Sequence, residues 1–463
     1  MLFKTKRRAT DVDMTDGNIA RHLITFAIPL LIGNLFQMMY NMVDTWVVGR
    51  FVSDAAFSAV GTLGSVTTLM IGFFTGLSSG AGVVISRFFG ARRYDRVRDT
   101  VNTSLIMSAV LCVIFTILGL ALIPVFLKIL DMPADVRDEA VVYLSIWFSG
   151  ISGLMIYNIG SAIMRAVGDS RRPFIYLVVA AITNTVLDLL FVIVFKWGVA
   201  GVAAATIIAQ GLSAALTVIS LATTDSCVKI SFKGMRFHND IIKDILLIGL
   251  PAAVQMTITS FSNIFVQSYI NYFGKEVMGG WTAYTKIDQI VFLPMQSLGL
   301  AATTFVGQNI GKNQVKRAEK GANTALLMSL ASTVILIIPI VIFSGAFVSI
   351  FNVNPEIIYY GTLFLRCLTP FYLFWCVNQV YSGALRGVGK STAPMIIMLS
   401  SFVLFRQTYL FIVSNFISNT VLPIAMGFPA GWMLSAIITV IYYKSTGLKP
   451  KEKKKYARET KRG

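Results

Sequence analysis

Long apolar runs separated by short polar and basic segments organise this chain. Twelve such runs fall near residues 22–48, 56–86, 100–128, 138–165, 173–195, 199–223, 244–272, 278–310, 321–351, 357–385, 392–415 and 424–443. At 1.5 Å per residue each is long enough to cross a bilayer as a helix. The longest polar interruption, residues 224–243, falls mid-chain and separates two halves that repeat. Pro29 recurs as Pro251, Gly90 as Gly311, and residues 165–170 (RAVGDS) as 386–391 (RGVGKS), followed by Pro173 and Pro394, all at offsets of 221 or 222. Six is even, so both halves enter the membrane in the same orientation and are parallel repeats about an axis along its normal. The pattern predicts an all-α integral membrane protein of 12 transmembrane helices in two six-helix lobes, residues 1–228 and 229–463.

Composition narrows this further. Of 463 residues, 55% are hydrophobic and 13% charged, with a mean hydropathy of +0.71, which leaves no soluble domain of useful size. A net charge of +18 invites a nucleic-acid reading, but 32 of the 40 Lys and Arg residues lie in the even-side segments. That asymmetry is the positive-inside signature and predicts a multi-pass protein with both termini cytoplasmic. The basic tail, residues 449–462, then needs only anionic membrane lipids as its partner, and no nucleic acid. The first apolar run is too long for a signal-peptide core and is expected to stay as a span. Cys112, Cys227, Cys367 and Cys376 have neither metal nor disulfide spacing and read as core.

Several motifs dissolve on inspection. Gly72, Gly76 and Gly80, at four-residue steps, form a small-residue face suited to close helix packing. Residues 387–391 (GVGKS) resemble a phosphate-binding loop, but Ala384 stands where the pattern needs glycine and no strand precedes it. Asn102-Thr103-Ser104 fits a glycosylation acceptor, yet follows a basic cytoplasmic loop. His22 and His238 sit at span edges and no nucleophile has a base beside it, so the chain is not expected to be an enzyme.

Chemistry is expected at the few acids inside the spans. Residues 23–48 hold one formal charge, Asp44, which costs roughly 2.5–3.5 kcal/mol at the middle of a membrane helix unless something compensates it. Gln37, Tyr40, Asn41 and Asp44 share a helical face directed to protein or water. Asp188 follows Asn184 by one turn in the fifth span, and both carboxylates lie past mid-span at similar depth. Together they form a candidate site for a proton, a sodium ion or an organic cation, since two close carboxylates in low dielectric titrate jointly. Asp288 in the eighth span is close in sequence to Lys286, and either neutralises it or serves the site; Arg366 and Arg406 are open between counter-charge and snorkelling.

The second lobe has Val266 and Tyr409 where the first has Asp44 and Asp188, so the ion site is single. Its seventh span carries Gln255, Thr259 and Asn263 as a neutral polar stripe suited to hydrogen bonding a bulky ligand, with Met256, Phe261, Phe265 and Met295 as lining or as core.

The first span from Pro29 to Arg50, with residues 307–311 (GQNIG), Arg317-Ala318 and the segment from Arg165 to Pro173, resembles the multidrug and toxic compound extrusion (MATE) family, in a DinF-like or closely related bacterial branch. The resemblance spans nearly the whole chain. It implies a monomeric antiporter of the bacterial inner membrane that exports small organic cations or drugs against a proton or sodium gradient by alternating access. By the same resemblance the ion-coupling set comprises Asp44, Asn184 and Asp188, with Thr206 and Tyr143 nearby; Asp44, Asn184, Asp188 and Thr206 would ligate the metal if sodium is the coupling ion. No cofactor beyond that ion is implied. The cavity would take Gln37, Tyr40, Asn41, Gln255, Thr259, Asn263 and Asp288. One branch keeps an acid in the seventh span, and this chain has none between Asp244 and Glu276. A flippase for a lipid-linked saccharide is the alternative, although only Lys286, Arg366 and Arg406 are placed to meet pyrophosphate. A channel or receptor would need a charged pore ring or an outer ligand domain, which the short outer loops do not supply.

Overall fold

The computed structural model describes residues 11–230 and 236–449, and the regular structure among them is helical throughout. Eleven helices are long and apolar enough to cross a membrane, and a pair bent by 44°, Val136–Ser149 with Ile151–Ala166, makes the twelfth. The basic tail lies outside the described residues, apart from Lys449.

Local chemistry sets the helix starts. Asn18 caps α1 (Ile19–Phe51) by accepting from the Arg21 amide, and the Ser53 hydroxyl caps α2 (Asp54–Gly90) by accepting from Ala56. The short link between them turns the chain straight back. After α3 (Tyr94–Ile129), Gly150 breaks the fourth span into α4 (Ala134–Ser149) and α5 (Ile151–Ala166). α6 (Arg171–Leu189) runs into a π-helical turn, Leu190–Val194, and α7 (Gly198–Thr223) completes the first lobe.

The second lobe repeats this order with α8 (Asn239–Asn271), α9 (Lys275–Gly311) and α10 (Val315–Ile342). The ninth span is shorter than its apolar run. It ends soon after Pro339, and residues up to 349 form a separate helix, α11 (Ser344–Ser349). Asn354 caps α12 (Pro355–Leu368), which continues through a 3₁₀ turn into α13 (Tyr372–Gly387). The eleventh span alternates α14 (Thr392–Met398) and α15 (Arg406–Ile412) with π turns, and α16 (Val421–Ala425) with α17 (Gly427–Thr446) forms the last.

Each lobe has its own core, one built around Leu63, Phe74, Phe148 and Ile159, the other around Tyr284, Phe364, Tyr372 and Phe402. Outward faces carry exposed apolar side chains such as Ile117, Ile182, Leu327 and Ile335, as a lipid-facing surface does. The lobes meet where α2 crosses α8 and α9 and where α1 crosses α9. Here the glycine face acts as its spacing predicts: a Cβ on Gly76 would sit 2.4 Å from Cα of Ala253, and one on Gly80 2.4 Å from the Ile245 carbonyl oxygen. The seam is tightest at the end carrying the termini, where a Cβ on Gly90 would meet the Gln308 carbonyl at 1.9 Å and one on Gly311 the Arg87 carbonyl at 2.1 Å.

Residues 11–18 lie across this end and tie the lobes together. Val12 donates its amide to the Val167 carbonyl at 2.8 Å, and Ser226 Oγ donates to Asp11 at 2.8 Å, both in the first lobe. Met14 N–H donates to Gln308 Oε1 at 2.9 Å, Lys312 Nζ to Asp16 at 2.8 Å and Arg317 Nη2 to the Gly17 carbonyl at 2.9 Å, all in the second. The Lys312 ammonium holds the Asp16 carboxyl below the ordinary carboxylate range.

Candidate functional site

Two spaces flank the polar stripe of α1. The larger is a cavity of about 1690 Å³ between the lobes, lined by the halves of α1, α2, α8 and α9 remote from the termini. Among the described residues the glycine seam packs the opposite end closed, and the cavity lies at the end away from the termini. The smaller, about 10 Å³, lies inside the first lobe among Tyr40, Asn184, Thr206 and Gln210.

Asp44 belongs to both environments. It lines the large cavity, and its carboxyl lies within hydrogen-bonding reach of the Asp188 carboxyl. Asp188 occupies the last turn of α6 before the π turn and is fully buried. The π turn Leu190–Val194 follows it directly, and such turns are frequent at functional sites. Asn184 sits one turn earlier, 2% exposed. Tyr143 of α4 is buried, close enough to feel the charges of both acids, and lines the large cavity beside Asp44. Thr206 of α7 donates to the Val202 carbonyl at 3.0 Å, which leaves its oxygen lone pairs free toward the small pocket. Tyr40 reaches Gln37 and Gln210.

Apart from the approach of the two carboxyls to each other, one Asp44 oxygen, both Asp188 oxygens and both polar atoms of the Asn184 amide are buried without a hydrogen-bond partner among the described residues. Such a cluster of unsatisfied groups is rare in a folded interior unless a proton, ion or water completes it. Facing carboxylates sharpen the requirement, since something positive must lie between them. No third carboxylate, histidine or cysteine joins the two among the described residues, so the donors are hard oxygens alone.

The cavity wall differs from its expected composition. Gln37, Asn41 and Asn263 line it, but Tyr40, Gln255, Thr259 and Asp288 do not. Tyr40 turns to the small pocket. Gln255 is 4% exposed and faces Met398 and Arg386 instead. Thr259 donates back to the Gln255 carbonyl at 2.8 Å, as threonines in membrane helices do. Asp288 is turned toward Tyr372 and Tyr284, whereas Lys286, two residues away and so on another face of α9, points into the cavity. The two do not neutralise each other. Of the flanking apolar residues, Met295 is core, Met256 packs on Gly72, Phe265 is exposed, and the side chain of Phe261 is outside the described set.

Wall residues that sequence reasoning missed include Ser260, Gln289 and Gln296. The signal was present, because Lys286, Gln289, Leu293 and Gln296 recur at helical spacing on one face of α9.

Neither open arginine behaves as a counter-charge. Arg366 is exposed, with Nε donating to Ser344 Oγ at 2.9 Å. Arg406 is 1% exposed and forms no ion pair among the described residues. Its Nη2 donates to Ser262 Oγ and Asn263 Oδ1, and its guanidinium carbon lies 4.7 Å from the centre of the Phe428 ring.

A family model described as MatE matches residues 29–190 and again residues 251–412. Among curated proteins, the probable multidrug resistance protein YpnP of Bacillus subtilis is 27% identical over 93% of this chain and 96% of its own length. The probable multidrug resistance protein NorM of Thermotoga maritima is 26% identical over 92% of both chains. Among solved structures, a MOP superfamily transporter from Pyrococcus furiosus superposes with a TM-score of 0.89 at 23% identity, covering 96% of this chain and 99% of that one.

Proposed function

Since the chain belongs to the MatE family of membrane transporters, we propose that it exports small organic molecules by cation-coupled antiport with alternating access. The observation that carries this reading is the double placement of Asp44, which pairs with Asp188 inside the first lobe and stands on the cavity wall. A proton or sodium ion arriving between the two carboxyls changes both the packing of the lobe and the charge that cargo meets. Differential affinity for two lobe arrangements then couples the movements.

With the termini cytoplasmic, as the basic loops favour, the described state opens outward. In it the coupling cation enters and cargo leaves. The orphaned oxygens of Asp44, Asp188 and Asn184, with the Thr206 hydroxyl, suit sodium as a hard cation taking oxygen donors, and the two carboxyls equally suit one shared proton. Organic cations, the cargo implied by the sequence resemblance, find Asp44 as the anionic group lining the cavity, and its probable-multidrug-resistance relatives support small organic cargo. A lipid-linked saccharide flippase fits less well, because of the three cations it would gather only Lys286 lines the cavity.

The test is efflux from proteoliposomes under a proton or a sodium gradient imposed separately, with a panel of organic cations. Efflux driven by one gradient and lost in Asp44→Asn supports the reading. Efflux that ignores both gradients sinks it.

A further inference from the structure

The charges on the cavity wall do not match a simple cation. Asp44 is its one lining carboxylate among the described side chains, set against two lining cations, Lys286 and Arg50. Lys286 is exposed to the cavity and forms no ion pair among the described residues. Its one acidic neighbour in sequence, Asp288, is turned away toward Tyr372. A bare ammonium at this position repels a purely cationic cargo and leaves its own donors unused.

Asn263 adds to the donor side. Its Oδ1 is held by Arg406 at 3.0 Å, so the group it leaves free on the cavity wall is the amide nitrogen, a donor. Apolar surface for a flat organic body comes from Trp46, Phe57 and Phe292 on the same wall. From the first lobe the cavity therefore presents Asp44 and, in the last turn of α1, Arg50; from the second it presents Lys286 with an amide donor; aromatic faces are shared by both.

From this arrangement we propose that the cargo is an amphipathic zwitterion, whose cationic group is received at Asp44 and whose anionic group, a carboxylate or phosphate, is received at Lys286. The assignment rests on the cavity being the cargo site, as proposed above. It also reconciles cargo and coupling: the cationic group of the cargo and the coupling ion compete for Asp44, while Lys286 selects among cargoes without entering that competition. Lys286 is then a specificity-determining residue for the transporter.

A matched pair of dyes tests this. Rhodamine 110 carries a free carboxylate and a cationic xanthene, and rhodamine 123 is its methyl ester, a cation with the same ring system. Fluorescence polarisation with the purified full chain in detergent measures binding of each without any gradient. The expected result is tighter binding of rhodamine 110, by about tenfold for one charge-assisted contact. Lys286→Gln abolishes that preference by weakening rhodamine 110 alone, and Lys286→Arg retains it. A wild-type protein that binds both dyes equally, prefers rhodamine 123 or binds neither overturns the proposal, as does a Lys286→Gln variant that keeps the preference. Failure of the coupling reading looks different: the dye preference stands in detergent, but neither gradient drives transport in proteoliposomes.

Discussion

Arg406 donates from Nη2 to Asn263 Oδ1 at 3.0 Å, so a fully buried guanidinium orients a side chain on the wall of the central cavity. A buried charge without an acidic partner is costly to keep, and replacing such groups by apolar ones of similar volume is often neutral or stabilising. Arg406→Met is therefore expected to leave the melting temperature in detergent unchanged or raised while lowering cargo affinity several-fold. A large fall in stability would show that the contacts with Ser262, Phe402 and Phe428 outweigh the burial cost.

Asp44→Asn mimics a permanently protonated acid of nearly the same shape. It should fold and bind detergent normally but lose gradient-driven efflux, and Asp188→Asn should do the same. Proteoliposome efflux rates decide the matter. A variant with undiminished, gradient-dependent efflux would remove its residue from the coupling mechanism.

Asn184→Ala and Thr206→Ala separate the two coupling ions. Each removes one oxygen donor and leaves both carboxyls in place. If sodium is the coupling ion, the sodium concentration for half-maximal efflux should rise about tenfold, in keeping with the loss of a ligand's support. If the proton couples, both variants should transport almost as the wild type.

Gly80→Ala probes the seam. The added methyl would lie 2.4 Å from the Ile245 carbonyl oxygen and 2.7 Å from Gly249 backbone atoms, none of which is the end of a flexible side chain. Overpacking of this kind costs about 1–3 kcal/mol. A lowered melting temperature, with labelling of single cysteines introduced along the seam increased at the end that carries the termini, is the expected result.

The N-terminal tie responds to acid. Because Lys312 depresses the Asp16 carboxyl, the contribution of that ion pair is complete above the ordinary carboxylate pKa and is lost as pH falls through the depressed value. Protection factors for amide exchange of residues 11–18, which correct for the slower intrinsic exchange in acid, should therefore fall below about pH 4. In Asp16→Asn the exchange should be faster at neutral pH and lack the acid step attributable to this pair.

Much of this fold is legible in the sequence because bilayer thickness imposes a length on every apolar run, and because spans of known direction fix depth. That is how Asp44 and Asp188, far apart in the chain, could be placed together. Depth alone does not fix azimuth over a long helix, and this is where Gln255, Thr259 and Asp288 went astray. Each is polar and in a span, but Gln255 faces Met398 and Asp288 faces Tyr372 within the second lobe, and the Thr259 hydroxyl is spent on the backbone of its own helix. Nearness in sequence leaves a pairing of Lys286 with Asp288 open, whereas two residues along a helix lie close to opposite sides of it. The tie made by residues 11–18 left no local signature, since a short polar segment ahead of a span does not say which helix ends it will bridge.

The seam between the lobes has one more consequence. Gly90 meets the carbonyl of Gln308, and Gly311, its repeat partner, meets the carbonyl of Arg87, which is the repeat partner of Gln308. Residue i touches j′ and j touches i′, the reciprocity of an isologous contact in a twofold dimer. In a dimer of identical chains a substitution in such a contact is felt twice, and every residue of one subunit is forced on the other. Joined in one chain, the halves keep the dimer's contact while being free to differ elsewhere, and an acid can stand at Asp44 on one side with Val266 on the other.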